Sequence, residues 1–207
     1  MDVSSYYLRP QPSETTEFIM QQTMIRVKSP KPSLDFYCNI LGMNLVYHVH
    51  YEKWGFSLYF VAFCDSAKIP DIDVSKKEGC DEMKKFCFKL PGCIEITHNH
   101  GSENEEGKVY NTGNSDNVGV PGGEKVKGGF GHIGITVPDV YKACERFHKL
   151  GVEFHKSPNQ GGMKGIAFVK DPDGYLVEIL PIGDFKQQEI DCLGVKIDQG
   201  VYKDNSK

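Results

Sequence analysis

Four residues of metal-binding type lie in otherwise apolar, strand-like segments of this sequence: Gln22, Glu95, His132 and Glu178. Glu178 is the most informative, because Leu176 and Leu180 share its face of a predicted strand. A carboxylate between leucines carries a desolvation penalty that a cation, a proton or a set of hydrogen bonds must offset. Two carboxylates, one amide oxygen and one imidazole suit an octahedral divalent ion that keeps open water positions. A structural zinc site is usually tetrahedral and often thiolate-bound.

Open coordination positions allow catalysis. Two carboxylates roughly neutralise a dication, so one of them can loosen, take a proton from a substrate carbon and return it to the adjacent carbon. The metal would stabilise the enediolate oxygens that develop in between. Each residue alone is weak evidence, since a strand-borne Gln or Glu usually faces solvent and a lone His is usually satisfied by hydrogen bonds. The prediction therefore depends on their matched positions in a repeat.

The sequence repeats one order of predicted elements, β-α-β-β-β. The first copy has strands over residues 22–28, 44–50, 55–63 and 93–99, and a helix that begins at Ser33 as N-cap and ends at Gly42. The second has strands over residues 132–137, 152–156, 165–170 and 175–180, and a helix that ends at Gly151. Gln22 and His132 occupy matching places in the two opening strands, and Glu95 and Glu178 do so in the two closing strands. An internal duplication explains this match.

The predicted organisation is α+β, with two modules and three less regular parts. We expect an N-terminal arm (residues 1–19), a first βαβββ module (20–100), a linker loop (101–129), a second βαβββ module (130–182) and a C-terminal tail (183–207) with a mobile polar end. Residues 64–91, rich in Lys, Asp and Glu, are predicted to be a surface insertion of the first module. A long linker in a compact protein often has a function.

Composition excludes several classes of partner. The 207 residues carry 24 basic and 28 acidic side chains, a net charge of -4, with no basic stripe for nucleic acid and no long apolar segment for a membrane. The seven cysteines are an odd number without a C-x-x-C pair, which argues against a disulfide framework. The N-terminus lacks the pattern of a signal peptide. We therefore expect a cytoplasmic protein with free thiols.

Several segments closely resemble the glyoxalase I (lactoylglutathione lyase) family of the vicinal-oxygen-chelate superfamily: QQTMIRVK, SLDFYCNILGMNL, FSLYFVAF, EITHN, GFGHIGITVPDVYKACERF and MKGIAFVKDPDGYLVEIL. The resemblance covers about residues 17–182. It implies paired βαβββ modules that form a curved mixed sheet, and a homodimer whose sites are shared between chains. It also implies a lyase for methylglyoxal detoxification, which isomerises the hemithioacetal of methylglyoxal and glutathione to S-D-lactoylglutathione.

The resemblance also assigns residues. The metal ligands fall on the four residues above, with Glu178 as the principal proton-transfer base and Glu95 as its partner for the opposite substrate hand. Arg26, Asn99, Lys156 and the backbone around Met163 match glutathione contacts, and Leu58, Phe60 and Phe168 match pocket walls, although strand aromatics usually pack in a core. One divalent metal per site is implied. Zinc is favoured by the resemblance, while the ligand types alone also accept nickel, cobalt or manganese.

Two alternative functions stay open, and the sequence departs from the family's pattern at one place. An iron-dependent dioxygenase of the same fold needs a second imidazole where this chain has Gln22. A binding protein of the same fold, which sequesters a small molecule without turnover, would generally lack the four ligands. Related animal enzymes carry an arginine just before GFGHIG, whereas residues 117–128 here contain none. Lys125 or Lys127 could replace that glutathione-carboxylate contact, as point charges without the bidentate geometry of arginine.

Overall fold

The computed structural model describes residues 3–7, 10–113, 118–119, 125–126 and 128–197. The first module contains four strands, β1 (Gln22–Val27), β2 (Asn44–Tyr51), β3 (Phe56–Ala62) and β4 (Cys93–Asn99), in the spatial order β1-β4-β3-β2. In the second module β7 (Ile133–Val137), β8 (Phe154–Lys156), β9 (Ala167–Lys170) and β10 (Leu176–Pro181) take the equivalent order β7-β10-β9-β8. The predicted pair of βαβββ modules is confirmed.

The first and last strands of each module are parallel neighbours, and the other strand pairs are antiparallel. In the first sheet Met24 pairs with Glu95, and in the second Gly134 pairs with Glu178. A residue at the start of the first strand is therefore close to a carboxylate on the last strand in both modules. This topology is what brings the predicted ligands together in pairs.

The helix between β1 and β2 begins earlier than predicted. It comprises α1 (Pro30–Leu34) and a π-helical turn (Asp35–Ile40), and Ser29 is the N-cap residue. Proline suits the first turn of a helix, because its missing N–H would have no partner there in any case. Ser33, predicted as N-cap, is therefore an internal residue that is fully buried.

The insertion at residues 64–91 is not merely a polar surface loop. It contains a short 3-10 turn (Ser66–Lys68) and an amphipathic helix, α2 (Lys77–Cys87), whose Met83 and Cys87 are buried. These two side chains belong to the same apolar cluster as Phe60 of β3. The helix thus covers part of the first sheet.

One hydrophobic core joins the two modules. It contains Ile94 and Ile96 of β4 together with Val177 and Ile179 of β10, all at most 3% exposed, and it includes residues of the π-helical turn and of α3 (Val140–Lys149). Polar contacts link the modules as well: the hydroxyl of Tyr37 donates to Asp171 (3.0 Å), and the backbone N–H of Lys28 donates to Asp173 (2.8 Å). The modules of one chain therefore pack through these faces.

The linker has some regular structure of its own. A 3-10 turn (Ser102–Asn104) follows β4, and β5 (Val118–Gly119) pairs antiparallel with β6 (Lys125–Val126). The start of the C-terminal tail is ordered, with a bridge between Ile190 and Lys196, while its predicted mobile end falls on residues 198–207, outside the described part. Within the described part of the chain, no helix has the length and apolar character needed to cross a membrane.

Candidate active site

The first half-site is formed by Gln22 and Glu95. Both are half-buried, and the Gln22 side-chain amide donates a hydrogen bond to Oε2 of Glu95. The other carboxylate oxygen of Glu95 accepts a hydrogen bond of 3.3 Å from the hydroxyl of Thr97. Rotation of an amide about its terminal torsion exchanges its nitrogen and oxygen, so the same position can present Oε1 of Gln22 to a cation. This pair offers two oxygen ligands.

The second half-site is formed by His132 and Glu178. Nε2 of His132 lies 3.0 Å from Oε2 of Glu178, whose side chain is 14% exposed. The ring of Phe168, which pairs with Glu178 across the strands, meets the imidazole edge to face with centroids 5.2 Å apart. Gly134 faces the carboxylate from the neighbouring strand, where a Cβ atom would be 4.0 Å from Oε2. An apolar ring and a glycine therefore border a nearly buried carboxylate.

The ligand atoms of the His132–Glu178 pair have a spacing that fits a metal ion. Two ligand atoms about 2.1 Å from one ion, at a right angle to each other, are about 3 Å apart. The contact between His132 and Glu178 matches this spacing. However, no three His, Cys, Asp or Glu side chains of the described residues are close enough together to hold a metal ion. The sequence predicts that the four residues form one site, and the resemblance implies that two chains share it; within the described residues of one chain they form two pairs.

Strand alternation explains the separation. Side chains of consecutive strand residues point to opposite faces of a sheet. Glu95 lies between Ile94 and Ile96, which both enter the core shared by the modules, and Glu178 lies between Val177 and Ile179, which enter the same core. Both carboxylates therefore point away from the core through which the modules pack.

The proposed glutathione contacts of the first module lie beside a cavity of about 490 Å³. Arg26 and Met24 line it, together with Tyr110 and Gly113 of the linker. The side-chain amide of Asn99 donates a hydrogen bond of 3.0 Å to the hydroxyl of Tyr110. The sequence prediction missed Tyr110, although it is an aromatic residue in a polar linker. Tyr110 thus lines the same cavity as Arg26 and accepts a hydrogen bond from Asn99.

In the second module Lys156, Phe168 and Glu178 form one row across three strands. Lys156 Nζ donates hydrogen bonds to the carbonyl oxygens of Ile166 (2.6 Å) and Ser157 (3.3 Å). Burial lowers the pKa of the Lys156 ammonium below its usual value, and nearby Lys164 lowers it further. Its positive charge lies on the same face as Glu178.

The remaining predicted residues differ in exposure. Met163 is 62% exposed in the loop before β9, whereas Phe60 is only 2% exposed. Phe60 lies directly opposite Glu95, but it packs against α2 and against Phe88 at 5.8 Å between centroids. Leu58 is half-buried in the same apolar cluster. Phe60 is therefore a packing residue beneath the site, as is common for strand aromatics. The sequence prediction missed α2, which is part of the site's surroundings.

Comparison with known proteins gives a consistent result. The sequence profile of the Glyoxalase/Bleomycin resistance protein/Dioxygenase superfamily matches residues 19–179. The lactoylglutathione lyase of Pseudomonas aeruginosa is 44% identical over 166 residues, which are 80% of this chain and 84% of that protein. The lactoylglutathione lyase of Pseudomonas putida is 43% identical over 80% of this chain and 86% of its own length.

Solved structures show the same fold. The structure of glyoxalase I from Leishmania major has a TM-score of 0.52 and 23% identity, and the match covers 78% of this chain and 85% of that one. Glyoxalase I from Zea mays gives a TM-score of 0.50 with 22% identity, covering 82% of this chain and 45% of that one.

Proposed function

We propose that this chain, which belongs to the Glyoxalase/Bleomycin resistance protein/Dioxygenase superfamily, is a metal-dependent glyoxalase I. It would isomerise the hemithioacetal of methylglyoxal and glutathione to S-D-lactoylglutathione. The observation that carries the proposal is the pair of half-sites, each with a carboxylate next to a second metal-binding side chain. Relatives above 40% identity that are lactoylglutathione lyases support it.

The chain's own side chains would perform the proton transfer. The Glu178 carboxylate is 14% exposed, so few waters compete for it, and it takes the proton from one substrate carbon and returns it to the next. Glu95 has the equivalent role for the opposite substrate hand. Arg26, Asn99 and Lys156 bind the polar ends of the glutathione moiety, and Phe168 borders the reacting carbons. When bound, the divalent ion supplies a positive charge that stabilises developing negative charge on oxygen.

We propose further that two chains build each site, with Gln22 and Glu95 from one copy and His132 and Glu178 from the other. The shared core supports this, because it occupies the sheet faces opposite both carboxylates. Among the described residues of one chain the two ligand pairs do not come together into one cluster. A second copy related by a two-fold axis can bring the complementary pair to each of them. The proposed assembly is therefore a homodimer with two equivalent sites.

The proposed metal is zinc, and nickel, cobalt or manganese would also fit the oxygen-rich set. We also place the protein in the cytoplasm, since all seven cysteines are free thiols in the structure and a reducing compartment preserves thiols. No described feature supports a nucleic acid or membrane as partner, and glutathione is the co-substrate that the proposal requires.

A direct assay tests the activity. Thioester formation from methylglyoxal and glutathione is followed by absorbance with the purified protein, with the protein treated with a chelator, and after return of each divalent ion. We expect turnover that the chelator abolishes and one or more ions restore. Absence of metal-dependent turnover would favour a sequestering protein, and oxygen consumption with a catechol would favour a dioxygenase. The metal content of the purified protein identifies the native ion.

A further inference from the structure

The C-terminal segment of residues 183–197 folds back over the loop of residues 157–165, which connects β8 to β9. Phe185 lies against Gly165, where an added Cβ would be 3.2 Å from Cδ1 of the ring. Gly165 has a φ of +77°, so a larger residue would be strained there as well. The segment lies beyond residues 19–179, the part that the superfamily profile matches.

Asp191 connects this segment to the loop. Its side chain is nearly buried, and one carboxylate oxygen accepts hydrogen bonds from the hydroxyl of Ser157 and from the backbone N–H of Asn159 (3.1 Å). The other oxygen accepts from the backbone N–H groups of Leu193 and Val195, both at 3.0 Å. Four donors converge on one buried carboxylate, which compensates for its desolvation.

Asn159 completes the contact from the loop side. It is 1% exposed, and its amide nitrogen donates to the carbonyl oxygens of Val195 (2.8 Å) and Gln188 (3.1 Å). Its amide oxygen accepts from the hydroxyl of Tyr141 on α3 at 2.7 Å. The backbone carbonyl of Asn159 accepts from Lys164 Nζ at 2.7 Å. The loop is thus fixed to the C-terminal segment and to α3 at once.

The same loop holds Lys156 in place. The carbonyl of Ser157 is one of the two acceptors of Lys156 Nζ, and a Cβ at Gly161 would be only 3.8 Å from Cε of Lys156. A shift of Ser157 would move the ammonium, which lies in the row that contains Phe168 and Glu178. Asp191 bonds the hydroxyl of that same Ser157.

We infer that Asp191 is a positioning residue for substrate binding: it fixes the loop of residues 157–165 so that Lys156 and the backbone near Met163 are already arranged for the glutathione moiety. The inference rests on the proposed function. A preordered loop loses less conformational entropy when the substrate binds, which lowers the Michaelis constant. Asp191 does not contact the reacting carbons, so it affects binding rather than the chemical step.

The test is the substitution Asp191→Asn in the full chain loaded with its metal. Asparagine keeps the size of the side chain, but it offers one acceptor oxygen and places an NH₂ group where N–H and O–H donors point. We expect the KM for the hemithioacetal to rise roughly ten-fold with kcat changed less than about two-fold. The matched control is Glu189→Gln, which removes the same charge from an exposed residue of the same segment and should leave both constants unchanged.

A second measurement is independent of turnover. Amide hydrogen exchange of residues 159–164 should become faster in Asp191→Asn and stay as in wild type in Glu189→Gln. Ser157→Ala, which removes one of the four bonds, replaces Asp191→Asn if that variant does not fold. If the wild type is active and Asp191→Asn has an unchanged KM and unchanged exchange, the inference is overturned. It is also overturned if Asp191→Asn loses kcat and kcat/KM equally. An inactive wild type instead overturns the proposed function, while exchange still decides whether Asp191 holds the loop.

Discussion

Mixing two inactive variants should restore activity if each site takes ligands from two chains. The variants are Glu95→Gln and Glu178→Gln, which each remove one carboxylate and keep the side-chain size. Either change alone should lower kcat by a factor on the order of 10² to 10⁴, the usual contribution of a positioned acid or base. In a mixed dimer one site carries both substitutions, whereas the other carries neither, because its Glu95 and Glu178 come from different chains.

The recovered activity follows from counting sites. Equal amounts of two variants that pair at random give mixed dimers in half of the assemblies, and half of the sites in a mixed dimer are intact. The mixture should therefore recover about one quarter of the wild-type specific activity in a two-fold symmetric dimer. The assay is thioester absorbance after co-expression of the two chains with tags of different mass, so that the mixed dimers can be purified and weighed.

The control is a mixed dimer of two single variants, Glu178→Gln and His132→Ala, whose substitutions fall in the same half-site. Because these residues are 3.0 Å apart in one chain, every site of that mixed dimer lacks one ligand, and no activity should return. If purified mixed dimers of Glu95→Gln and Glu178→Gln are as inactive as their parents, the sites are not shared. A wild-type chain that sediments as a fully active monomer would refute the same reasoning.

Two further predictions concern stability and the linker. Burial raises the pKa of Asp171 to about 6, above its value of about 3.9 in an unfolded chain. The protonated carboxyl therefore contributes fully to the free energy of unfolding below about pH 4, and this contribution is lost as the pH rises through about 6. In urea titrations with a chelator, the unfolding free energy of wild type relative to Asp171→Asn should fall by about 2 kcal/mol between pH 4 and 7, and a constant difference would contradict this. Replacing both Lys125 and Lys127 with alanine should raise the KM for the hemithioacetal at least several-fold, and unchanged kinetics would disprove their proposed role. The side chain of Lys125 and all of Lys127 lie outside the described part of the structure.

Much of the fold could be predicted from sequence, because the signals are local. Gly42 and Gly151 both adopt the positive φ that ends a helix, and the alternation around Glu95 and Glu178 shows which residues share a face. The helix α2 was missed because only two of its eleven residues are buried, which leaves a weak apolar period in a polar segment. The sequence favours Ser33 as N-cap because prolines commonly end a strand, whereas here Pro30 begins the helix and Ser29 is the N-cap.

The candidate site was less accessible to sequence reasoning for a physical reason. Strand alternation fixes the face on which a side chain lies, but it does not determine which faces of two sheets meet. The types of the proposed ligands could therefore be predicted from the residues, and their division between chains only from the resemblance, because the two pairs within one chain depend on the core between the modules. The same applies to Asn99 and Tyr110, which meet by a side-chain hydrogen bond across a turn that has no periodic signal.

The core also constrains how the site can change. Ile94 and Ile96 bury the face opposite Glu95, so a shift of β4 by one residue would place the carboxylate in the core and an isoleucine in the site. The parallel neighbour β1 fixes the register through six residue pairs, from Gln22 with Cys93 to Val27 with His98. The register of β4 therefore determines both the position of the proposed ligand Glu95 and the burial of the core. Substitutions that loosen this core should lower metal affinity together with stability, whereas Arg26 and Asn99, which are exposed on the other face, can change substrate binding with little effect on either.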